Sequence, residues 1–274
     1  MKTFRLLALD LDGTLLTNSK QITERTRCAL LTAADAGMQI ALVTGRPYSG
    51  LPEELLAIPQ IRYAITSNGA VSIDLAAGKK LRTALMPGDI VPEIIKYPQE
   101  NGLIYNVFLD GIGYCDPQSF ERLTGFFAGT VLEDYVHRSR RSTEDIMECV
   151  QAHPEGVENI WIMARDQAER NALAQMLPPG RHLQTFFTAD KDLEISDRLA
   201  GKGLSLEELA SSLGIAKEEI LAFGDNENDL VMFHSAGTSV AMGNASEAVR
   251  SQADLVTDTN EHDGVALILE QFLR

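Results

Sequence analysis

Two carboxylates two positions apart, followed at once by a glycine and a threonine, interrupt an otherwise apolar run at residues 6–16, LLALDLDGTLL. Positions i and i+2 of an extended chain face the same side, so Asp10 and Asp12 can address one bound group. Polar, glycine-bearing stretches also leave apolar runs at Thr44-Gly45-Arg46, at Ser67-Asn68-Gly69 and at Gly224-Asp225-Asn226-Glu227-Asn228-Asp229. Open parallel sheets bind ligands beyond the carboxyl ends of their strands, so these four exits are expected to converge on one crevice. Gathering Asp10, Asp12, Asp225 and Asp229 there concentrates negative charge that a hard divalent cation or protons must offset. Carboxylate and carbonyl oxygens suit Mg2+, which takes one or two carboxylates and a substrate phosphate. The Thr44 hydroxyl, the backbone N–H groups around Gly45 and a helix N-terminus beginning near Asn226 would offer donors to a phosphoryl group. Lys202, in AGKGLSLEELASSLG, opens a predicted helix, where the helix dipole opposes its charge unless an anion lies near.

The elements that must carry these residues follow from the apolar pattern. Runs at 4–11 and 38–43 flank an amphipathic stretch at 22–36 with an N-cap at Thr23 and a stop at Gly37, an order that argues for parallel βαβ units. Further short strands are expected at 63–66, 220–223, 238–241 and 255–257, all reading as continuous apolar runs of the kind buried on both faces. The middle of the chain differs. Asp110-Gly111 between apolar segments at 106–114 signals a hairpin, strands are expected at 159–164 and 182–187, and helices at 143–152 and 166–177. The expected architecture is therefore α/β: a Rossmann-like parallel sheet with helices on both faces, built from residues 1–83 and 190–274, carrying an inserted α+β cap domain at 84–189.

Composition bounds the function. The chain has 274 residues, 24 Lys and Arg against 39 Asp and Glu, and a net charge of −15. That balance repels polyanions and argues against extended nucleic-acid binding. Asp10 and Asp12 interrupt the first apolar stretch before a signal-peptide core could form, and no run approaches the length of a membrane helix. Cys28, Cys115 and Cys149 are odd in number and lack metal-ligand spacing, which reads as free thiols in a reducing, cytoplasmic setting.

In this order the motifs resemble those of the haloacid dehalogenase superfamily: Asp10-Leu11-Asp12-Gly13-Thr14 its first, Thr44-Gly45-Arg46 its second, Lys202 its third and Gly224-Asp225-x-x-Asn228-Asp229 its fourth. The insert, with TGRP and SNGA, is similar to the Cof-like branch of sugar-phosphate phosphatases, and AMGNA and DGVA extend the likeness towards the end of the chain. The resemblance implies that Asp10 attacks phosphorus to form an aspartyl-phosphate and that Asp12 serves as general acid and base. It implies Mg2+ held by the Asp10 carboxylate, the Asp12 carbonyl, Asp225 and Asp229, with Thr44, Gly45, Arg46, Lys202 and Asn228 around the phosphoryl group of a small phosphorylated metabolite. No nucleic-acid, membrane or obligate protein partner is implied. A phosphotransferase or phosphomutase using the same intermediate, or a non-catalytic phosphate-binding module, are the alternatives. Asp12 speaks against the last, because a stable acyl-phosphate sensor needs no acid/base there.

Other features read as structural. HRSRRS, residues 137–142, is expected to be a solvated loop. His137, His153, His182, His234 and His262 lack ligand spacing, and Trp161 and Met163 alternate with Ile160 and Ile162 as a strand would. Glu194 and Asn244 are assigned no chemical step.

Overall fold

The computed structural model describes residues 3–187 and 189–273. Met1, Lys2, Thr188 and Arg274 lie outside them, and with them the outermost positions of the expected 1–83 and 190–274 ranges. Five strands come first: β1 (Leu6–Leu9), β2 (Gln39–Val43), β3 (Ile61–Thr66), β4 (Val71–Asp74) and β5 (Lys79–Thr83). The inserted segment contributes β6 (Ile104–Leu109), β7 (Ile112–Cys115), β8 (Arg140–Ser142), β9 (Asn159–Met163), β10 (Leu183–Phe186) and β11 (Asp192–Asp197). The chain then supplies β12 (Ile220–Gly224), β13 (Thr238–Ala241) and β14 (Leu255–Val256). An eight-stranded sheet runs β14-β13-β12-β1-β2-β3-β4-β5 and a six-stranded sheet runs β10-β11-β9-β6-β7-β8.

In the larger sheet β14 through β3 are mutually parallel, and alternate residues of each strand feed two separate cores. Leu7, Leu9, Ile40, Leu42 and Phe223 pack under the helices Glu24–Asp35 and Gly264–Phe272. Leu6, Ala8, Ala41, Val43 and Ala222 pack against Lys202–Ser212 and Leu230–Ser235 on the opposite face. Burial on both faces is why these strands are apolar without alternation, and it confirms the α/β reading. Thr23 caps the first helix as expected, its hydroxyl accepting from the Thr26 N–H.

Three expectations change. The antiparallel extension β4–β5 was not anticipated; Lys79-Lys80-Leu81-Arg82-Thr83 is largely exposed and shows no apolar period, so its pairing with β4 comes from sheet hydrogen bonding alone. The boundary expected at 189/190 moves, since the chain divides into one compact unit containing the chain to Gly45, Leu51–Thr83 and the chain from Gly201, and another containing Arg46–Gly50 and Ala84–Ala200. The reason is β11, which pairs antiparallel with both β9 and β10 and so belongs to the inserted sheet. Finally, HRSRRS is no solvated loop. Its first half ends the helix Glu133–Ser139, its second half is β8, and the buried Arg140 guanidinium lies over the rings of Phe108 and Tyr135 at 5.0 and 4.6 Å. Aromatic faces have replaced water around that cation.

Within the inserted unit the helices Val91–Asn101 and Ile146–Ala152 cover the apolar face of β6, β9 and β11, formed by Tyr105, Val107, Ile160, Ile162, Leu193 and Ile195. The expected hairpin is β6–β7, closed at Asp110-Gly111. Among the described residues no helix is long and apolar enough to cross a membrane.

Candidate active site

Asp10 follows the last residue of β1, its N–H donating to the Phe223 carbonyl of the neighbouring β12 at 3.1 Å. Asp225 leaves β12 and Asp229 sits one turn later, at the end of the short 3-10 turn Glu227–Asp229. Adjacent parallel strands with their ends in register thus bring the first and fourth motifs together: carboxylate oxygens of Asp10, Asp225 and Asp229 lie within 4.8 Å of one another. Lys202, first residue of its helix and 2% exposed, places its ammonium 2.7 Å from Asp10 Oδ1 and 2.6 Å from Asp229 Oδ1. The expected conflict between this lysine and its helix dipole is resolved by two buried carboxylates.

Three carboxylates facing one ammonium in a buried place leave negative charge in excess. Burial, reinforced by Asp229 and Asp225 against the opposing pull of Lys202, raises the Asp10 carboxyl well above its usual value. Burial and then the charge of Asp229 push Asp225 up to about 6. For Lys202, burial works against the charge, yet Asp10 and Asp229 outweigh it and hold the ammonium above the ordinary lysine value. Every candidate donor atom is an oxygen. That donor set and its unbalanced charge fit a hard divalent cation such as Mg2+.

Asp229 does more than add charge. Its Oδ2 accepts the backbone N–H groups of Asp225 and Asn226 at 2.9 and 3.0 Å, while Oδ1 takes Lys202. The helix N-terminus expected near Asn226 as a phosphate cradle is therefore already occupied by an internal carboxylate, and these two donors are not offered to a ligand.

Asp12 takes a different position. Its carboxylate is half-buried, and Lys20 Nζ stands 2.8 Å from its Oδ1. Lys20 adopts a left-handed backbone conformation, φ 63°, in a turn closed by hydrogen bonds between Thr17 and Gln21 and from Lys20 N–H to the Thr17 carbonyl. Sequence reading missed this partner because nothing in the spacing of eight residues shows that the loop returns on itself.

Thr44 follows β2 and is buried, its N–H bonded to the Ile65 carbonyl at 2.8 Å, with Gly45 next. Asn228 donates Nδ2 to Asn68 Oδ1 at 3.1 Å. The buried guanidinium of Arg46 lies 4.7 Å from the centre of the Tyr135 ring and Nη1 donates to the Gly50 carbonyl at 3.1 Å, all within the second unit. Stacking on an aromatic face and bonding to a backbone carbonyl is the setting the structure gives this cation.

Two further residues had been quoted without a role. Thr14 Oγ1 donates to Asp225 Oδ1 at 3.1 Å, and Asn244 Nδ2 donates to the Gly13 carbonyl at 2.8 Å and to Asp225 Oδ2 at 3.4 Å. Both orient Asp225, and the AMGNA stretch was the one available signal for Asn244. Gly13 makes this arrangement possible. At φ 84° it is left-handed, and a Cβ there would stand 2.3 Å from Asp225 Oδ2. Gly13→Ala is expected to displace Asp225 and to lower phosphate release about 100-fold, measured with an aryl phosphate; activity within about threefold of wild type would contradict this role for the close approach.

Acidic groups collected on adjacent parallel strand ends, one buried ammonium among them and anion donors beside them, define an enzyme of phosphoryl chemistry. The chain belongs to the haloacid dehalogenase-like hydrolases, whose family profile matches residues 7–269, and is a phosphatase of that superfamily. It is 30% identical to "Pyridoxal phosphate phosphatase YbhA" of Escherichia coli (strain K12), over 99% of each chain. It is also 30% identical to "5-amino-6-(5-phospho-D-ribitylamino)uracil phosphatase YitU" of Bacillus subtilis (strain 168), over 97% of each. Among solved structures, a haloacid dehalogenase-like hydrolase from Bacteroides thetaiotaomicron superposes with a TM-score of 0.83 at 27% identity, covering 98% of this chain and 100% of that one. Another from B. subtilis gives 0.82 at 28%, covering 98% and 99%.

Proposed function

We propose that this phosphatase is Mg2+-dependent and hydrolyses small phosphate monoesters, sugar phosphates or similar metabolites, through an aspartyl-phosphate on Asp10. The observation that carries the reading is the Asp10 carboxylate, buried at the end of β1 and held by Lys202 inside a three-carboxylate cluster. An Asp10 oxygen attacks phosphorus as the ester oxygen departs with a proton from the Asp12 carboxyl, which must leave Lys20 to deliver it. Water then attacks the acyl-phosphate, Asp12 takes its proton, and inorganic phosphate leaves with Asp10 regenerated. Asp10, Asp225 and the Asp12 carbonyl would hold the cation, and Asp229 would reach it directly or through water while also fixing the loop and the lysine beside it. A bound Mg2+ supplies charge neutralisation at the phosphoryl oxygens. Thr44, Gly45, Lys202 and Asn228 hold those oxygens in place, so the reaction rests on positioning and charge. The cytoplasmic setting expected from its three cysteines belongs to the same proposal.

The test is a panel of sugar phosphates, nucleotides and cofactor phosphates, pyridoxal phosphate and the ribitylaminouracil phosphate included, assayed with Mg2+ and with chelator. Phosphate release that requires Mg2+ supports the reading; no release from any ester defeats it.

Metal binding also has a pH signature. Asp225 ionises near 6 in the folded chain against 3.8 for the ordinary carboxyl, so between those values the folded chain keeps a proton that the unfolded chain has lost. The stability of the chelated protein at this site is therefore greatest below the lower value, falls as pH rises through the interval, and stays reduced above it. Added Mg2+ is expected to raise the melting temperature more at about pH 7.5 than at about pH 5. An equal shift at both, or none, would remove Asp225 from the metal site.

A further inference from the structure

The exit of β3, Ser67-Asn68-Gly69, is one of the four polar strand ends of the sheet. Its backbone is unusual. Three consecutive residues are left-handed, with φ of 50°, 53° and 93°. Such conformations persist only where the surroundings impose them, and asparagine and glycine tolerate them best.

The surroundings are the three other phosphate-facing segments. The Asn68 N–H donates to the Thr44 carbonyl at 3.1 Å, which ties this exit to the threonine turn after β2. A Cβ on Gly45 would stand 3.2 Å from both terminal atoms of the Asn68 amide, so that turn packs directly on the side chain. Asn68 Oδ1 accepts Nδ2 of Asn228 at 3.1 Å, which fixes the rotation of the Asn228 amide. A Cβ on Gly69 would meet the Gly201 backbone at 2.4 Å, immediately before Lys202, and the Gly69 carbonyl accepts from Ser205 Oγ at 2.8 Å and from Arg82 Nη1 at 2.9 Å. Asn68 itself is fully buried.

We propose that Asn68 is a positioning residue: it sets the Thr44-Gly45 turn and the Asn228 amide at the separation one phosphoryl group requires, without itself having to touch the substrate. The inference rests on the phosphatase reading of the same site. Left-handed backbone brings Asn68 between two loops that arrive from β2 and from β12: its N–H bonds the first, and its side-chain amide packs on Gly45 while its oxygen accepts from Asn228 of the second. Small errors in the placement of such groups cost rate, since the catalytic effect depends on geometry held before the substrate arrives.

The experiment compares wild type with Asn68→Gly, Asn228→Ala and the double variant, using p-nitrophenyl phosphate for kcat and KM and inorganic phosphate as competitive inhibitor. Glycine keeps the left-handed backbone and removes only the amide. Asn68→Gly is expected to lower kcat/KM about 30-fold and to weaken inhibition by phosphate about tenfold. The double variant is expected to fall clearly less than the product of the two single effects, because the Asn68–Asn228 contact is lost in both singles and is counted once in the double. Asn68→Asp keeps the left-handed preference and an oxygen facing Asn228, and guards against a folding failure of the glycine variant. Its kcat is expected within about fivefold of wild type, with the loss in KM from the added charge beside an anion site. Full multiplication of the two single effects, an Asn68→Gly enzyme within about twofold of wild type in both kcat/KM and phosphate inhibition, or an Asn68→Asp enzyme as slow in kcat as Asn68→Gly, would overturn the proposal. A wild-type protein that neither turns over nor binds phosphate would instead overturn the phosphatase reading beneath it.

Discussion

Asp10→Asn is expected to reduce phosphate release by at least about 10⁴-fold while leaving the fold intact. The amide has the shape of the carboxylate, and its oxygen can still accept from Lys202 at the 2.7 Å position. It cannot form the acyl-phosphate. Stability should move the other way. Burial, helped by Asp229 and Asp225, disfavours the ionised form of Asp10, so exchanging it for a neutral amide relieves repulsion in the chelated protein. The melting temperature without metal is expected to equal or exceed that of wild type. Activity within about tenfold of wild type would remove Asp10 as nucleophile, and a large drop in melting temperature would show that its charge is needed for folding.

The second large effect belongs to Lys202→Met. Methionine fills a similar volume but leaves Asp10 and Asp229 buried without the ammonium that stands 2.7 and 2.6 Å from them. Removing one partner of a buried ion pair costs about 3–5 kcal/mol, and here one cation serves two carboxylates. The loss should be full at neutral pH with chelator present. It should shrink as the solution is acidified, because protonating the carboxylates removes the repulsion that the lysine had offset. Phosphate release should fall by about 10³-fold, the size of effect that the role proposed for Lys202 at the phosphoryl oxygens requires. Chemical denaturation across pH, together with turnover of an aryl phosphate, checks both halves. A variant that unfolds at the wild-type denaturant concentration at neutral pH would mean that the pair contributes nothing net.

The motifs of the candidate site were legible because each is short, and those at Asp10, Thr44 and Asp225 sit where an apolar strand stops. Asp10, Thr44 and Asp225 needed only the rule that parallel strands deliver their ends to one side of a sheet. Asp229 was legible as an acid but not as the acceptor of two backbone N–H groups, since a carboxylate four residues on could equally have faced water. The contact of the Arg46 guanidinium with Tyr135 was not legible for a related reason: its neighbours Thr44 and Gly45 follow a strand, and nothing local shows which ring lies beside it. Arg140 looked solvated because its sequence neighbours are basic, and only the rings of Phe108 and Tyr135 explain its burial.

The amino-acid order alone determined the strand and helix alternation and the hairpin at Asp110-Gly111, because these depend on side-chain period and on residues a few positions apart; of the four acids expected to gather, the fold brings together Asp10, Asp225 and Asp229 and sets Asp12 against Lys20. Tertiary structure decided which groups touch: Lys202 to Asp10 across 192 residues, Thr14 to Asp225 across 211, Asn244 to Gly13 across 231 and Asn68 to Asn228 across 160. It also decided that β11 belongs to the inserted sheet. Such contacts follow from strand order and register, which are set by how whole faces pack, and no local pattern encodes the distance between two loops that meet only after the sheet has formed.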